Sequence, residues 1–285
     1  ASHRTGQTGR LIKGDGTDWL KELKANGDAC ILTRNSESRH CDYTLKIQPR
    51  LSDRFMLIDI IAGARPNFMK IAPIIREIEK KQAEGREISY RLIHTGQHYD
   101  RNMSGSFFDE LGIPDPDYNL ESGSGTPSEQ TSRIMLGYEK ILMDKPCSVC
   151  LVVGDVTSTM ACAITAKKLL IPVAHVEGGI RSGDREMPEE INRLVTDAIT
   201  DYFFTTSSTA NENLHREGVD PEKIYFVGNT MIDTLLANLE RLKKPAIWDA
   251  AGLIEKNYLV MTLHRPSNVD EEEHLKTLIS EIVEA

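Results

Sequence analysis

Acidic residues follow two apolar runs of this 285-residue sequence. Asp155 lies two residues after SVCLVV (148–153), and Glu177 comes directly after PVAHV (172–176). If both runs are neighbouring strands, the two carboxylates share one crevice, where burial and mutual repulsion raise the pKa of at least one toward the range useful for proton transfer. An Asp in this position can also cap a helix, whereas Glu177, followed by two glycines, is less suited to capping. Glu189, after Pro188 at the next predicted helix start, is a third candidate.

Basic residues near the first predicted helix start suit a bound anion. Arg65 and Lys70 flank this position, where free backbone N–H groups and the helix dipole attract negative charge, so together they could hold a diphosphate. The alternative is a surface-turn arginine and a solvated helical lysine. His264 follows the apolar run YLVMTL (258–263) and precedes Arg265, which fits a phosphate contact, although simple surface exposure is an alternative.

These residues need a scaffold in which apolar runs alternate with amphipathic stretches. The alternation begins at Met56 and predicts an α/β fold with a parallel sheet, whose ligands bind at the carboxyl ends of the strands. The predicted strands are 56–62, 90–95, 148–153, 172–176, 201–206, 223–227 and 258–263. The predicted helices are 66–82, 103–112, 127–144, 158–169, 188–199, 207–217, 229–243 and 270–284.

The same pattern predicts the domain organisation. Residues 56–228 form one catalytic domain, and 229–285 begin a second, nucleotide-binding domain that we expect to be truncated, since one strand and one helix cannot bury a core. Residues 1–55 remain unassigned. Within this segment, the stretch GDGTDWLKELKANGDACILTR (14–34) resembles the middle of a sugar-phosphate phosphatase of the haloacid dehalogenase type. A phosphatase-like remnant is therefore one interpretation, although the stretch lacks the D-x-D nucleophile motif of that family.

Composition excludes several classes of function. A net charge of −9 argues against a nucleic-acid surface. No apolar run approaches the roughly 20 residues of a membrane span, and the N-terminal stretch lacks the apolar core of a secretory signal, so we expect a cytoplasmic protein. The five cysteines indicate reduced core thiols, and the C-x-x-C of Cys147 and Cys150 lacks the second ligand pair of a zinc site. No dinucleotide-binding or P-loop motif is present.

Six segments together resemble one enzyme family, the non-hydrolysing bacterial UDP-N-acetylglucosamine 2-epimerases. The segments are GARPNFMKIAP (63–73), TGQHYD (95–100), GDVTST (154–159), HVEGGIRSGDREMPEEINR (175–193), VGNTMIDTL (227–235) and TLHRPSNVD (262–270). The resemblance covers residues 56–285 almost without interruption. It implies two Rossmann-like domains of GT-B type, a homodimer, and a reaction that needs neither metal nor NAD.

The resemblance also implies roles for individual residues. Asp155, Glu177 and Glu189 match the family's acid-base carboxylates, and Arg193 matches a residue near them. Arg65 and Lys70 align with substrate-contacting positions, and His264 aligns with a group that stabilises the leaving diphosphate. Gln97 and His98 align with a segment that helps bind UDP-GlcNAc at an allosteric position. His175, inside an apolar run, is instead expected to be a hydrogen-bonded core histidine.

The implied reaction interconverts UDP-GlcNAc and UDP-ManNAc. UDP is eliminated to give 2-acetamidoglucal and is then added back with a proton delivered to the other face, supplying precursors for cell-surface polysaccharide. Two other enzymes share such a site, a hydrolysing epimerase and a GT-B glycosyltransferase. A third alternative, from a different class, is an inactive fragment that only binds a nucleotide sugar.

Overall fold

A parallel β-sheet forms the centre of the protein. The structure is a computed structural model that describes residues 55–96, 108, 111–263 and 269–284. Its strands β1 to β7 are Met56–Ala62, Ile88–His94, Tyr118–Asn119, Val149–Val153, Val173–Val176, Tyr202–Thr205 and Ile224–Phe226. Each of the first six apolar runs predicted as strands therefore forms one, within two residues at either end.

Helices connect the strands and flank the sheet. Helices α1 to α8 are Arg65–Ala83, Pro127–Asp144, Thr157–Lys168, Pro188–Ile199, Ser208–Arg216, Thr230–Asn238, Ala246–Ala250 and Glu272–Glu284, with 3-10 turns at Pro221–Lys223 and Leu239–Arg241. Local sequence sets several of their starts. Proline occupies an early position of α1, α2 and α4, where its missing N–H costs nothing, and Thr126 and Glu129 cap α2 reciprocally.

The strand order places β1 beside β4 at the centre of the sheet. The order is β3-β2-β1-β4-β5-β6-β7, and all pairs are parallel. The direction of winding reverses between β1 and β4, and in sheets of this kind the crevice outside the strand ends at such a reversal binds ligands. The turns after β1, β4 and β5 therefore meet at the expected ligand edge.

Alternate residues of β1 face two separate cores. Ile58 and Ile60 pack on the side of α1, whereas Leu57 and Ile61 pack against residues of α2 and α3 on the other side. Burial of each such side chain contributes about 1.5–3 kcal/mol relative to exposure. Between Leu57 and Ile61, Asp59 is also fully buried, so the second core contains a charge.

Two predicted elements differ from the structure. The segment 258–263, predicted as a strand, is irregular, and Leu259 and Val260 are almost fully exposed. A strand requires a partner, and none of the strands in the described part of the chain pairs with this segment. The helix predicted over 229–243 ends at Asn238, whose side-chain amide donates to the Thr234 carbonyl. Most of the predicted helix 103–112 lies outside the described residues.

The chain divides into two compact units, one up to Asn238 and one from Leu239 onward. Helix α6 belongs to the first unit, where the Thr234 hydroxyl donates to the Met69 carbonyl of α1 at 2.6 Å. The domain boundary at Gly228 stays a prediction, and the segment 1–54 with its phosphatase-like stretch lies outside the described residues. Of the helices that the structure describes, none combines the length and apolarity needed to cross a bilayer.

Candidate active site

Gly154 occupies the centre of the predicted ligand edge. It follows β4 with a φ of +68°, a conformation that favours glycine. A Cβ atom at this position would lie 3.2 Å from Nζ of Lys70, 3.6 Å from Nδ2 of Asn67 and 3.7 Å from Oε2 of Glu177. Side chains from α1 and from the end of β5 therefore converge on the turn that leads into Asp155.

Lys70 and Glu177 form a direct ion pair at this point. Lys70 lies on α1, Glu177 follows β5, and the lysine Nζ contacts Oε2 of the carboxylate. Glu177 has a φ of +73°, an uncommon conformation for a non-glycine residue that costs about 1–2 kcal/mol. Such strain tends to persist at functional sites, where surrounding contacts hold it in place. The backbone N–H of Glu177 donates to the Phe204 carbonyl of β6 at 2.8 Å, which fixes the turn.

Asp155 is held by Arg193 of α4. The guanidinium donates from Nε and Nη2 to the same carboxylate oxygen, Oδ2, at 3.1 and 2.6 Å. Asn192, the preceding residue, donates from its amide to the Asp155 backbone carbonyl at 2.8 Å. The sequence suggested two carboxylates that repel each other, but in the structure each has its own cation.

Glu190, the neighbour of Glu189, is buried and fully engaged. Its carboxylate accepts hydrogen bonds from the backbone N–H groups of Ser182 and Gly183 and from Nη1 of Arg193. Burial alone would raise the pKa of Glu190, but these hydrogen bonds outweigh it and lower the pKa to about 2. Glu190 therefore stays ionised at neutral pH and anchors Arg193, whereas Glu189 is exposed on the first turn of the same helix.

Hydrogen bonds of the Asn67 side chain connect the start of α1 to the sheet. Its Oδ1 accepts from the backbone N–H groups of Gly63 and Ala64, and its Nδ2 donates to the Val153 carbonyl at the end of β4. Arg65, the first residue of α1, is exposed and lies between the residues that form these hydrogen bonds. The location of Arg65 is compatible with the anion contact that the sequence predicted, which stays a prediction.

A buried network lies behind the two carboxylates. Nδ1 of His175 is 2.6 Å from Oδ1 of Asp197, and Nε2 is 2.8 Å from the Gly154 carbonyl. The other oxygen of Asp197 accepts from the backbone N–H of Gly179 and from Nη1 of Arg181. His175 is thus hydrogen-bonded inside the core, as its apolar surroundings in the sequence indicated.

The structure brings together four of the predicted site residues, Lys70, Asp155, Glu177 and Arg193. Gln97, His98 and His264 lie outside the described residues. Sequence reasoning missed Glu190 and Asp197 as structural partners of this group. The three-residue spacing of Glu190 and Arg193 on a helix could have indicated their pairing, but Asp197 has no local signal, because His175 lies on a different element.

Comparison with known proteins identifies relatives with this sequence pattern. Residues 80–285 match the protein family described as UDP-N-acetylglucosamine 2-epimerase. The UDP-N-acetylglucosamine 2-epimerase of Methanocaldococcus jannaschii is 45% identical over 232 residues, which are 80% of this chain and 62% of that protein. The UDP-2,3-diacetamido-2,3-dideoxy-D-glucuronate 2-epimerase of Pseudomonas aeruginosa is 40% identical over 233 residues, or 80% of this chain and 63% of that protein.

Solved structures show the same likeness. The M. jannaschii UDP-GlcNAc 2-epimerase in complex with UDP-GlcNAc and UDP has a TM-score of 0.69 at 45% identity, and the match covers 80% of this chain and 62% of that one. The Neisseria meningitidis enzyme bound to UDP-GlcNAc has a TM-score of 0.63 at 31% identity, with 71% and 55% covered.

The predicted α/β fold class, Rossmann-like and of GT-B type, is confirmed by the parallel sheet and by these structures. The chain spans only 62 to 63% of the length of the two curated relatives described above. The matched segment nevertheless contains the turns after β4 and β5 with Asp155 and Glu177. The chain belongs to the UDP-N-acetylglucosamine 2-epimerase family.

Proposed function

We propose that the whole protein is a non-hydrolysing UDP-GlcNAc 2-epimerase that interconverts UDP-GlcNAc and UDP-ManNAc. The observation that carries the proposal is the pair of turns after β4 and β5. These turns hold Asp155 and Glu177, each beside a cation, within a chain of this family. Proton transfer at a carbon needs acid-base groups in fixed positions, a role that carboxylates can fill, and nearby cations stabilise the negative charge that develops.

The proposed reaction begins by breaking two bonds of UDP-GlcNAc. A base removes the C2 proton, the C2–H electron pair forms the C1=C2 double bond of 2-acetamidoglucal, and the C1–O bond breaks with its electrons leaving on UDP. UDP then adds back to C1 while a proton reaches C2 from the opposite face. These two steps involve no net oxidation or reduction, so the reaction consumes no NAD.

The carboxylates divide the acid-base work in this proposal. Asp155, in the turn after β4, and Glu177, in the turn after β5, exchange protons with the sugar. Glu189, exposed on α4, is the third acid-base group. Asp155 and Glu177 remain partly accessible, with side chains 30% and 19% exposed, so substrate can reach both. Arg193 binds only Oδ2 of Asp155, so we expect Oδ1 to face the substrate.

Cations hold the leaving group in this account. We assign Arg65, Lys70 and His264 to the diphosphate, where positive charge stabilises departing UDP. Lys70 must then exchange part of its contact with Glu177 for the diphosphate when substrate binds. The same exchange would release Glu177 to act as a proton-transfer group.

The proposal also includes the biological setting that the family resemblance implies. We propose a cytoplasmic homodimer whose product is a precursor of cell-surface polysaccharide, and an allosteric role for Gln97 and His98.

A second candidate substrate is UDP-2,3-diacetamido-2,3-dideoxy-D-glucuronate, because the P. aeruginosa relative named for that sugar is almost as similar to this chain. Its epimerisation at C2 would use the same carboxylates.

Separate product assays with each nucleotide sugar test the proposal in the whole protein. We expect UDP-GlcNAc to give UDP-ManNAc, measured by chromatography and NMR, without net accumulation of free UDP. Stoichiometric UDP and free ManNAc would indicate a hydrolysing epimerase, and transfer of GlcNAc to an added acceptor would indicate a glycosyltransferase. Conversion of only the diacetamido-glucuronate would assign the second substrate, and binding of UDP without turnover of either sugar would contradict an enzymatic function.

A further inference from the structure

Both ring nitrogens of the fully buried His175 face oxygen atoms that only accept hydrogen bonds. Nδ1 is 2.6 Å from a carboxylate oxygen of Asp197, and Nε2 is 2.8 Å from the Gly154 carbonyl oxygen. A neutral imidazole carries a proton on one nitrogen only, so the other nitrogen would direct a lone pair at an acceptor. Both contacts are satisfied if both nitrogens are protonated.

The surroundings of Asp197 place the shared proton on the histidine. The second carboxylate oxygen of Asp197 accepts from the Gly179 N–H at 2.9 Å and from Nη1 of Arg181 at 2.7 Å, which favours its ionised form. Burial alone raises the pKa of Asp197, but the charges and hydrogen bonds of His175 and Arg181 outweigh burial and lower it. Burial likewise lowers the pKa of His175, but the charge of Asp197 reverses the direction and raises it.

We propose that His175, with both ring nitrogens protonated at neutral pH, is a positioning residue for Asp155 and Glu177. This inference rests on the function proposed above. The imidazolium connects three elements. It lies on β5, two residues before Glu177, and it contacts the carbonyl of Gly154, the residue before Asp155. It also pairs with Asp197 on α4. Asp197 lies one helical turn after Arg193, the partner of Asp155, so the ring fixes both turns to the same helix.

The charged groups around His175 support one protonation state. Asp197 contacts the ring directly and Glu177 adds a favourable negative charge from the same segment. Arg181 reaches the pair through Asp197, and Lys70 is paired with Glu177. The protonated ring contributes stability that is complete below about pH 6.5, the ordinary histidine pKa, and that is lost as pH rises through its raised pKa.

Histidine 15N NMR tests the charge without relying on catalysis. His94, another buried histidine, is an internal comparison, because burial lowers its pKa and its Nδ1 accepts from the Gly96 N–H. At pH 7.5 we expect both nitrogens of His175 to be protonated and His94 to be neutral, with assignments from His175→Gln and His94→Gln. A His175 ring with only one protonated nitrogen at pH 7.5 would overturn the proposal, whatever the protein's activity.

Kinetics then test the positioning role. His175→Gln keeps an amide donor but no charge, and we expect kcat to fall about 10- to 100-fold with KM little changed, because small misplacements of catalytic groups have effects of this size. Tyr138→Phe is the matched control. It removes a buried hydrogen bond to another buried aspartate, Asp59, and should leave kcat unchanged.

Asp197→Asn covers the case in which His175→Gln fails to fold. The amide retains the size of the carboxylate, and we expect NMR to show a neutral His175 together with a similar fall in kcat. A folded Asp197→Asn protein with a neutral His175 and wild-type kcat would refute the positioning role. A wild-type protein that epimerises neither nucleotide sugar would instead refute the proposed function, while the NMR result on charge would stand.

Discussion

Asp155→Asn and Glu177→Gln, each made in the whole protein, are expected to lower kcat by at least about 100-fold while UDP binding stays largely intact. General acid-base groups contribute roughly 10² to 10⁴ to rate, and each amide retains the shape of the carboxylate without its proton-transfer chemistry. We expect Glu189→Gln to behave similarly, although Glu189 is more exposed. Steady-state kinetics and calorimetric UDP titration measure the two effects separately.

Glu222→Gln provides the control for these three variants. Glu222 is an exposed carboxylate in the 3-10 turn before β7, at the opposite end of the strands from the site, so its loss should change neither kcat nor UDP affinity. Near-wild-type turnover in all three site variants would rule out the assignment of acid-base roles. A fall in UDP affinity that matches the fall in turnover would mean that the carboxylates act in binding.

Asp59→Asn is expected to destabilise the first unit by about 3–5 kcal/mol. Asp59 is fully buried on β1 and accepts from Nε and Nη2 of Arg91 on β2 at 2.7 and 2.8 Å, and from the Tyr138 hydroxyl at 3.0 Å. Removing its charge leaves the Arg91 guanidinium buried without a counterion. Urea unfolding, monitored by circular dichroism, measures the change in unfolding free energy.

The double variant Asp59→Leu/Arg91→Met separates a charge effect from a packing effect. Replacing both members of a buried ion pair by apolar residues is often neutral or stabilising, so most of the lost free energy of unfolding should return. Two results would contradict this account: a loss below about 1 kcal/mol in Asp59→Asn, or a double variant less stable than the single one.

Most of the sheet could be predicted from the sequence, because local signals define it. Six apolar runs match strands, and helices α2 and α4 have the predicted bounds of 127–144 and 188–199. In α2, Thr126 and Glu129 form a capping box, and both helices begin at proline. The segment 258–263 was also predicted as a strand from its apolar residues, but within the described part of the chain no strand pairs with it, and it is irregular.

The candidate site could be predicted only as far as strand ends. Asp155 and Glu177 were recognisable because each follows an apolar run, and parallel neighbours bring strand ends together. Their partners depend on the tertiary fold: Lys70 and Glu177 are 107 residues apart, and Arg193 lies 38 residues after Asp155. Local sequence patterns therefore did not indicate the ion pairs of the carboxylates, and only the family resemblance placed Arg193 near them.

Deuterium incorporation at C2 tests the proposed proton transfer most directly. The whole protein is incubated with UDP-GlcNAc in deuterium oxide, and the nucleotide sugars are examined by 1H NMR and mass spectrometry. We expect deuterium at C2 of UDP-ManNAc, because the proton leaves to a side chain that exchanges with water. Complete retention of the original C2 hydrogen in the epimerised product would contradict removal of that proton by the carboxylates of this site.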